Sequence, residues 1–114
     1  MPFISTKTTK TLTKEMETRL KEAYGKAIEL LPGKTEKWLM LSFDGDAHMA
    51  FHGDSESDMA FITVSLVGKA PSEAYDKLTA RICEILGTEL DIAPDMIYIK
   101  YEEVEHWGWN NINF

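Results

Sequence analysis

The chain has 114 residues, with 12 lysines and arginines against 19 aspartates and glutamates, and a formal net charge of −7. This length fits one compact domain, residues 1–114, and the acidic balance disfavours nucleic acid and membranes as partners, because both present negative surfaces. The single cysteine, Cys83, cannot close an internal disulfide, and no apolar run approaches the ~18–20 residues of a membrane span. The N-terminus also lacks the apolar core of a signal peptide, so we expect a cytoplasmic protein.

The first half of the chain predicts a strand, a helix and a second strand. Residues 3–8 form a short run rich in β-branched side chains, which is typical of a strand. Apolar residues at spacings of three and four then predict a helix from about residue 13 to residue 31, with Thr13 as its N-cap and a Pro-Gly pair at its end. Residues 38–43 are mostly apolar and predict a buried strand.

The second half repeats this order. Residues 59–67 predict a strand, a helix is expected from Pro71 to about Leu90, and residues 96–101 predict another strand. When the two halves are superimposed, the first strand falls on the third and the second on the fourth. Two β-α-β units of this kind place both helices on one face of a four-stranded sheet. The predicted fold class is therefore α+β, with two pseudo-symmetric β-α-β units.

The alternation of side chains leaves one face of the predicted sheet without a cover. One set is expected beneath the helices: Ile4, Leu39, Leu41, Ile62, Val64, Leu66, Ile97 and Ile99. The opposite set mixes large apolar residues with small polar ones: Phe3, Trp38, Met40, Phe61, Met96 and Tyr98 beside Ser5, Ser42, Thr63 and Ser65. A soluble monomer rarely exposes so much apolar surface. The pattern therefore predicts an oligomer, without giving the number of subunits.

Pro2 is a candidate general base. Initiator methionine is normally removed before a small second residue, which would leave a secondary amine at the start of the first strand. A terminal amine titrates near pH ~7.7–8.0, and an apolar pocket or a nearby cation would lower its pKa and keep it neutral. A neutral amine in a fixed position can take a proton from a substrate. Taken alone, however, a proline after Met1 favours no function, since many proteins have one.

The C-terminal segment, residues 107–114, is rich in aromatic residues for the end of a small chain. Chain ends of this kind fray unless they dock. The segment is expected to cover the protein's own core, to form the aromatic wall of a ligand pocket, or to add a strand to a neighbouring subunit. These interpretations are compatible with one another.

A series of short motifs gives the chain a resemblance to a known family. They are Pro2 at the start of the first strand, Gly33-Lys34, Met49-Ala50-Phe51, Val67-Gly68-Lys69, Pro94-Asp95 before Tyr98-Ile99, Gly108-Trp109-Asn110-Asn111, and Phe114. None is specific alone. In this order, over essentially the whole chain, they resemble the macrophage migration inhibitory factor and D-dopachrome tautomerase family of the tautomerase superfamily.

The resemblance implies a homotrimer with active sites between subunits and with no metal or organic cofactor. Pro2 would be the catalytic base of a phenylpyruvate or dopachrome type of tautomerase, interconverting keto and enol forms of a small aromatic 2-keto acid or a similar compound. Lys34 and the backbone N–H of Val67 would hold the substrate anion, and Tyr98 would come from the adjacent subunit. The apolar end of the pocket would be lined by Trp38, Trp107, Trp109 and Phe114.

Three features depart from the family pattern. Lys100 stands where the best-known members have an asparagine, and the stretch from residue 102 to residue 106 is shorter and more acidic than its counterpart. The C-x-x-C cysteine pair of some members is also absent, with Met59 and Ile62 at those positions. Because Cys83 alone cannot replace that pair, we expect no thiol–disulfide activity.

Two histidines, His48 and His52, suggest a metal site, because several aspartates lie near them in the sequence. Residues 48–51 predict a short strand, however. On a strand, two residues at this spacing would lie ~13 Å apart, which is too far to share one ion. We therefore expect a solvated hairpin here and no metal.

The sequence thus favours a cofactor-free keto–enol tautomerase, an isomerase with Pro2 as base and Lys34 as anion anchor. An alternative, also drawn from the resemblance, is a cytokine-like protein that is released without a signal peptide and binds a receptor, with a vestigial pocket. A third interpretation is another reaction of the superfamily at the same proline, such as decarboxylation or dehalogenation. The aromatic tail and the chain length favour the tautomerase over this third interpretation.

Overall fold

The computed structural model describes residues 1–113, in which four strands form one mixed sheet. The strands are β1 (Pro2–Thr8), β2 (Met40–Asp44), β3 (Ala60–Val67) and β4 (Ile97–Val104), in the spatial order β2-β1-β3-β4. β1 is parallel to β2 and antiparallel to β3, and β3 is parallel to β4. Helix α1 (Lys14–Ala27) joins the first parallel pair and α2 (Ser72–Leu90) joins the second. The predicted pair of β-α-β units is confirmed.

Helix α1 begins at the predicted cap. The Thr13 hydroxyl accepts a hydrogen bond from the Met16 N–H at 3.2 Å, which satisfies one of the free donors of the first turn. The predicted end at residue 31 holds only in part, because Ile28–Leu30 form a tighter 3₁₀ turn. A residue that precedes proline disfavours the α-helical conformation, and Leu31 before Pro32 is extended.

Two of the predicted strands begin later than expected. Trp38 and Met96 lie in 3₁₀ turns, Glu36–Trp38 and Pro94–Met96, which precede β2 and β4. Pro94 is well suited to such a turn because its ring presets the required φ. As a result, Trp38 is not held in the register of the sheet.

The predicted short strand at residues 48–51 is wrong. Within residues 1–113 this segment makes only one isolated bridge, between Phe51 and Asp54. The chain reverses there through His52 and Gly53, which both have positive φ angles of 57° and 73°. The pairing does not extend beyond this bridge, because the next residues bend back so that the N–H groups of Glu56 and Ser57 donate to the Asp54 carboxylate.

Both helices pack on the same face of the sheet, as predicted. The sheet contributes fully buried side chains from β1 and β3, among them Ile4, Ile62 and Leu66, and these contact a core that includes Leu20 from α1 and Ile82 from α2. No helix of residues 1–113 covers the opposite face. Two of its apolar side chains are largely exposed, Met40 at 68% and Tyr98 at 57% of full exposure. None of the helices in residues 1–113 is both long and apolar enough to span a bilayer.

A buried hydrogen bond joins β1 to α1 and gives a test of the fold. Thr6 Oγ1 and Tyr24 Oη lie 2.8 Å apart, and both residues are fully buried. We expect Tyr24→Phe to lower the free energy of unfolding by ~1–3 kcal/mol, because the Thr6 hydroxyl would lose its partner inside the core. Urea denaturation measures this change. The double variant Tyr24→Phe/Thr6→Val should lose less than the sum of the single variants, and strict additivity would contradict the coupling.

Candidate functional site

A cavity of about 770 Å³ opens beside the start of β1. Its walls come from the first residues of the chain, from the 3₁₀ turn before β2 and from the C-terminal segment. Four residues that the sequence singled out line it together: Pro2, Trp38, Trp107 and Trp109. Pro2 is buried at this position. The structure therefore brings the predicted base and the predicted aromatic wall into one cavity.

The aromatic wall depends on a hairpin that the sequence analysis did not predict. Strand β5 (Gly108–Trp109) pairs with β6 (Ile112–Asn113) through a two-residue turn. Both turn residues, Asn110 and Asn111, have positive φ angles of 52° and 71°, as a type I′ hairpin turn requires. The Asn-Asn pair was the signal for this turn. Phe114, which the resemblance places in the same wall, lies outside the described residues.

Two tryptophans from distant parts of the chain meet across the cavity. The Trp38 and Trp109 rings pack edge to face, with centroids 5.0 Å apart and an angle of 87° between their planes. This geometry is one that aromatic pairs prefer, because the positive edge of one ring meets the negative face of the other. The 3₁₀ turn that displaces Trp38 from β2 is what allows it to reach the hairpin.

Lys34 and Val67 meet at the start of the chain. The Lys34 ammonium donates a hydrogen bond to the Val67 carbonyl at 3.2 Å, and the Val67 N–H donates to the Met1 carbonyl at 3.3 Å. Burial, and then the neighbouring Lys34 charge, lower the pKa of the Met1 terminal amine. Both effects disfavour the protonated amine. A cation, a backbone donor and a terminal amine of depressed pKa therefore lie together beside the cavity.

The Met1 carbonyl accepts the hydrogen bond of a backbone N–H that an anionic ligand would need. The Val67 N–H is already bonded to the carbonyl of Met1, so no ligand oxygen can take that bond while Met1 is present. Removal of Met1 would free the N–H and would make Pro2 the terminal amine. Processing at this position thus changes both the base and the anion site.

Tyr98 is not part of this cavity within one chain. Pro2 pairs with Leu66 of β3, whereas Tyr98 pairs with Phe61 of the same strand. Leu66 and Phe61 are five residues apart along β3, which corresponds to ~17 Å at ~3.4 Å per residue. A tyrosine side chain cannot span this distance. Tyr98 instead packs against Phe51, with ring centroids 4.5 Å apart.

Lys100 is paired within its own chain. Its ammonium lies 3.3 Å from the Glu102 carboxylate and 5.7 Å from the centroid of the Phe61 ring. Glu102 also accepts a hydrogen bond from the Ser65 hydroxyl at 2.9 Å, and Ser65 lines the cavity. That bond, and then the Lys100 charge, lower the pKa of Glu102. The lysine that replaces the family asparagine is therefore neutralised by a neighbouring carboxylate.

The remaining candidates do not form a second site. In the part of the chain that the structure describes, no three histidine, cysteine or acidic residues are placed to hold a metal ion. His48 and His52 lie in the turn region rather than on the strand that the sequence predicted. Cys83 is partly buried, and burial raises the pKa of its thiol, which disfavours the reactive thiolate.

Comparison with known proteins identifies the family. A family model described as macrophage migration inhibitory factor (MIF) matches residues 1–113. The chain belongs to this family. It is 30% identical over 86 residues to the macrophage migration inhibitory factor of Meriones unguiculatus, a match that covers 72% of each protein.

Solved structures of MIF proteins have the same fold. The structure of Leishmania major MIF2 matches with a TM-score of 0.93 and 29% identity, covering 100% of this chain and 97% of that one. A MIF homologue from Prochlorococcus marinus matches with a TM-score of 0.88 and 29% identity, covering 98% of each chain. The predicted family and fold class are confirmed. Family and fold together support a tautomerase-type or cytokine-like function.

Proposed function

We propose that this MIF-family chain is a cofactor-free keto–enol tautomerase, an isomerase that uses the terminal amine of Pro2 as its general base. One observation carries the proposal. The terminal amine of Met1, whose pKa is lowered, lies with the Lys34 ammonium and the Val67 N–H beside an aromatic cavity that Pro2 lines, and removal of Met1 would leave the Pro2 amine next to the same groups. This combination supplies a base and two donors for a developing negative charge.

The proposed reaction moves one proton without changing the composition of the substrate. The neutral Pro2 amine takes a proton from the carbon next to the substrate carbonyl, and the electron pair of that C–H bond forms the enol double bond. Negative charge then builds on the carbonyl oxygen. Lys34 and the freed Val67 N–H stabilise that charge more in the transition state than in the ground state. The protonated amine returns its proton to the oxygen, and the reverse path regenerates the keto form.

The cavity favours a small aromatic 2-keto acid such as phenylpyruvate, or a similar aromatic carboxylate of the dopachrome type. Trp38, Trp107 and Trp109 offer apolar surface for a ring, and Lys34 offers a cation for the carboxylate. The net charge of −7 opposes an anion at long range, but salt screens this repulsion beyond ~8–10 Å. At contact distance the Lys34 charge therefore dominates.

We further propose that the enzyme is a homotrimer whose sites lie between subunits. The uncovered sheet face, which carries Met40 and Tyr98, gives an apolar surface for self-association. Tyr98 lies too far from Pro2 to act on the same cavity, so a role in substrate binding requires Tyr98 of a neighbouring copy. An assembled trimer would meet both conditions.

Receptor binding is the second candidate, and it draws on the family rather than on a feature of this site. A cytokine-like member would have to be released from the cytoplasm and would not need the Pro2 amine. Turnover that depends on Pro2 is thus the property that separates the two functions.

The test is the ultraviolet time course of phenylpyruvate enol–keto interconversion, with Met1 shown to be absent by mass spectrometry. We expect Pro2→Gly to lower kcat/KM by ~10²–10⁴-fold, because a positioned general base contributes about that much. Pro71→Gly, at the exposed start of α2, is the matched control and should retain the rate. If the wild-type protein matches the uncatalysed rate, or if Pro2→Gly retains full activity, the proposed mechanism is wrong.

A further inference from the structure

Lys37 is a feature of the cavity that the proposed reaction does not use. Among residues 1–113, it is the only residue lining the cavity whose side chain is charged. Its ammonium lies 5.2 Å from the centroid of the Trp38 ring, within the range of a cation–π contact. The sequence analysis did not single it out, because a lysine in a polar turn usually has no role beyond solubility.

No carboxylate of the described chain neutralises Lys37. Residues 1–113 contain four ion pairs between a lysine or arginine and a carboxylate, and Lys37 belongs to none of them. The adjacent acidic residue, Glu36, directs its carboxylate onto α1 at Gly25, where the missing side chain leaves room for it. The Lys37 charge is therefore available to a ligand.

The two lysines near the cavity contact different groups. Lys34 contacts the Val67 carbonyl and the terminal amine and is not among the residues that line the cavity. Lys37 instead lies over Trp38, at the aromatic wall. A ligand held at the amine by Lys34, with its ring near Trp38, would present its far end to Lys37.

We propose that Lys37 determines specificity by binding a second anionic group at the far end of the substrate. The preferred substrate class is a 2-keto acid with an apolar, ring-sized middle and a distal carboxylate. This inference rests on the proposed tautomerase function. A dianion is repelled by the net charge of −7 more strongly than a monoanion is, so a cation on the cavity wall is needed to favour it.

The experiment compares 4-carboxyphenylpyruvate with 4-carbamoylphenylpyruvate, which has the same shape without the distal charge. We expect Lys37→Met to lower the ratio of their kcat/KM values by about two- to fivefold, as for an exposed charge pair. Met retains most of the apolar stem over Trp38, and Lys37→Arg should restore the ratio. Lys77→Met, on the exposed part of α2, is the matched control. It also removes one positive charge, and it should leave the ratio unchanged.

An unchanged ratio in Lys37→Met would overturn the proposal. An equal fall for both substrates would also overturn it, because Lys37 would then only position Trp38. If the wild-type protein turns over phenylpyruvate but neither of these compounds, the Lys37 proposal is also wrong, whereas failure to turn over phenylpyruvate itself overturns the tautomerase proposal instead. Quenching of tryptophan fluorescence then gives the Kd of each compound, and the ratio of Kd values in wild type and Lys37→Met decides the Lys37 proposal by itself.

Discussion

Retention of Met1 is expected to lower kcat/KM for phenylpyruvate by ~10²–10⁴-fold, which is the contribution of a positioned general base. The Pro2 nitrogen would then belong to an amide and could not accept a proton at neutral pH. The Met1 carbonyl would also keep its hydrogen bond from the Val67 N–H, 3.3 Å in length. Retained Met1 thus removes the basic amine. It also occupies one of the two groups that would donate hydrogen bonds to the substrate anion.

This prediction is measured with protein that retains Met1 or a short extension before Pro2, compared with untagged protein from which Met1 has been removed. Mass spectrometry establishes the N-terminus of each sample. The circular dichroism spectra should be the same, because Met1 lies outside β1 (Pro2–Thr8) and outside the helix-covered core. Full activity in the N-terminally extended protein would rule out the proline mechanism.

Replacement of Lys34 is expected to have the second largest effect. Lys34→Met removes a donor to the developing oxyanion, and the loss of one such donor costs ~10²–10³-fold in kcat. It should also change the pH dependence, because the Lys34 charge is one of the causes that lower the pKa of the Met1 terminal amine, and we expect it to act in the same direction on the Pro2 amine that replaces it. Without that cation the protonated amine is less disfavoured, so the amine pKa rises and the neutral, active fraction at pH 7 falls.

The pH profile of kcat/KM separates these two roles, because it reports the free enzyme. In Lys34→Met the acidic limb of the profile should move to higher pH. Lys34→Arg retains the positive charge and should keep the limb in place, while the lysine-specific contact with the Val67 carbonyl is lost. Lys77→Met controls for the change in net charge. A limb that stays in place in Lys34→Met would show that Lys34 does not act on the amine.

The larger elements of the fold could be predicted from the sequence, because local periodicity and end signals agreed. The stripe of apolar residues and the Thr13 cap defined α1, and the alternation in residues 59–67 defined β3 (Ala60–Val67). Short segments were harder. Residues 48–51 have strand-like composition, but two positive φ angles at His52 and Gly53 close a turn instead. Such angles cannot be seen in hydrophobic periodicity.

The site was predictable in its chemistry and less so in its geometry. Pro2, Lys34 and the tryptophans were identified by residue type and by resemblance, and the structure places Trp38 and Trp109 in contact. Lys37 was missed, because nothing in its local sequence distinguishes it from a solvated lysine. Its role is inferred from its contact with the Trp38 ring and from Glu36, whose carboxylate points towards Gly25.

The sequence by itself determined the two helices and the four strands of the main sheet, which face of that sheet is buried, and which residues carry reactive groups. These properties follow from side-chain chemistry and from spacing along the chain. Only the tertiary structure decided that the Met1 carbonyl occupies the Val67 N–H, that Glu102 neutralises Lys100, and that Lys37 lines the aromatic cavity. Each of those facts is a contact made through space, and spacing along the chain gives no measure of it.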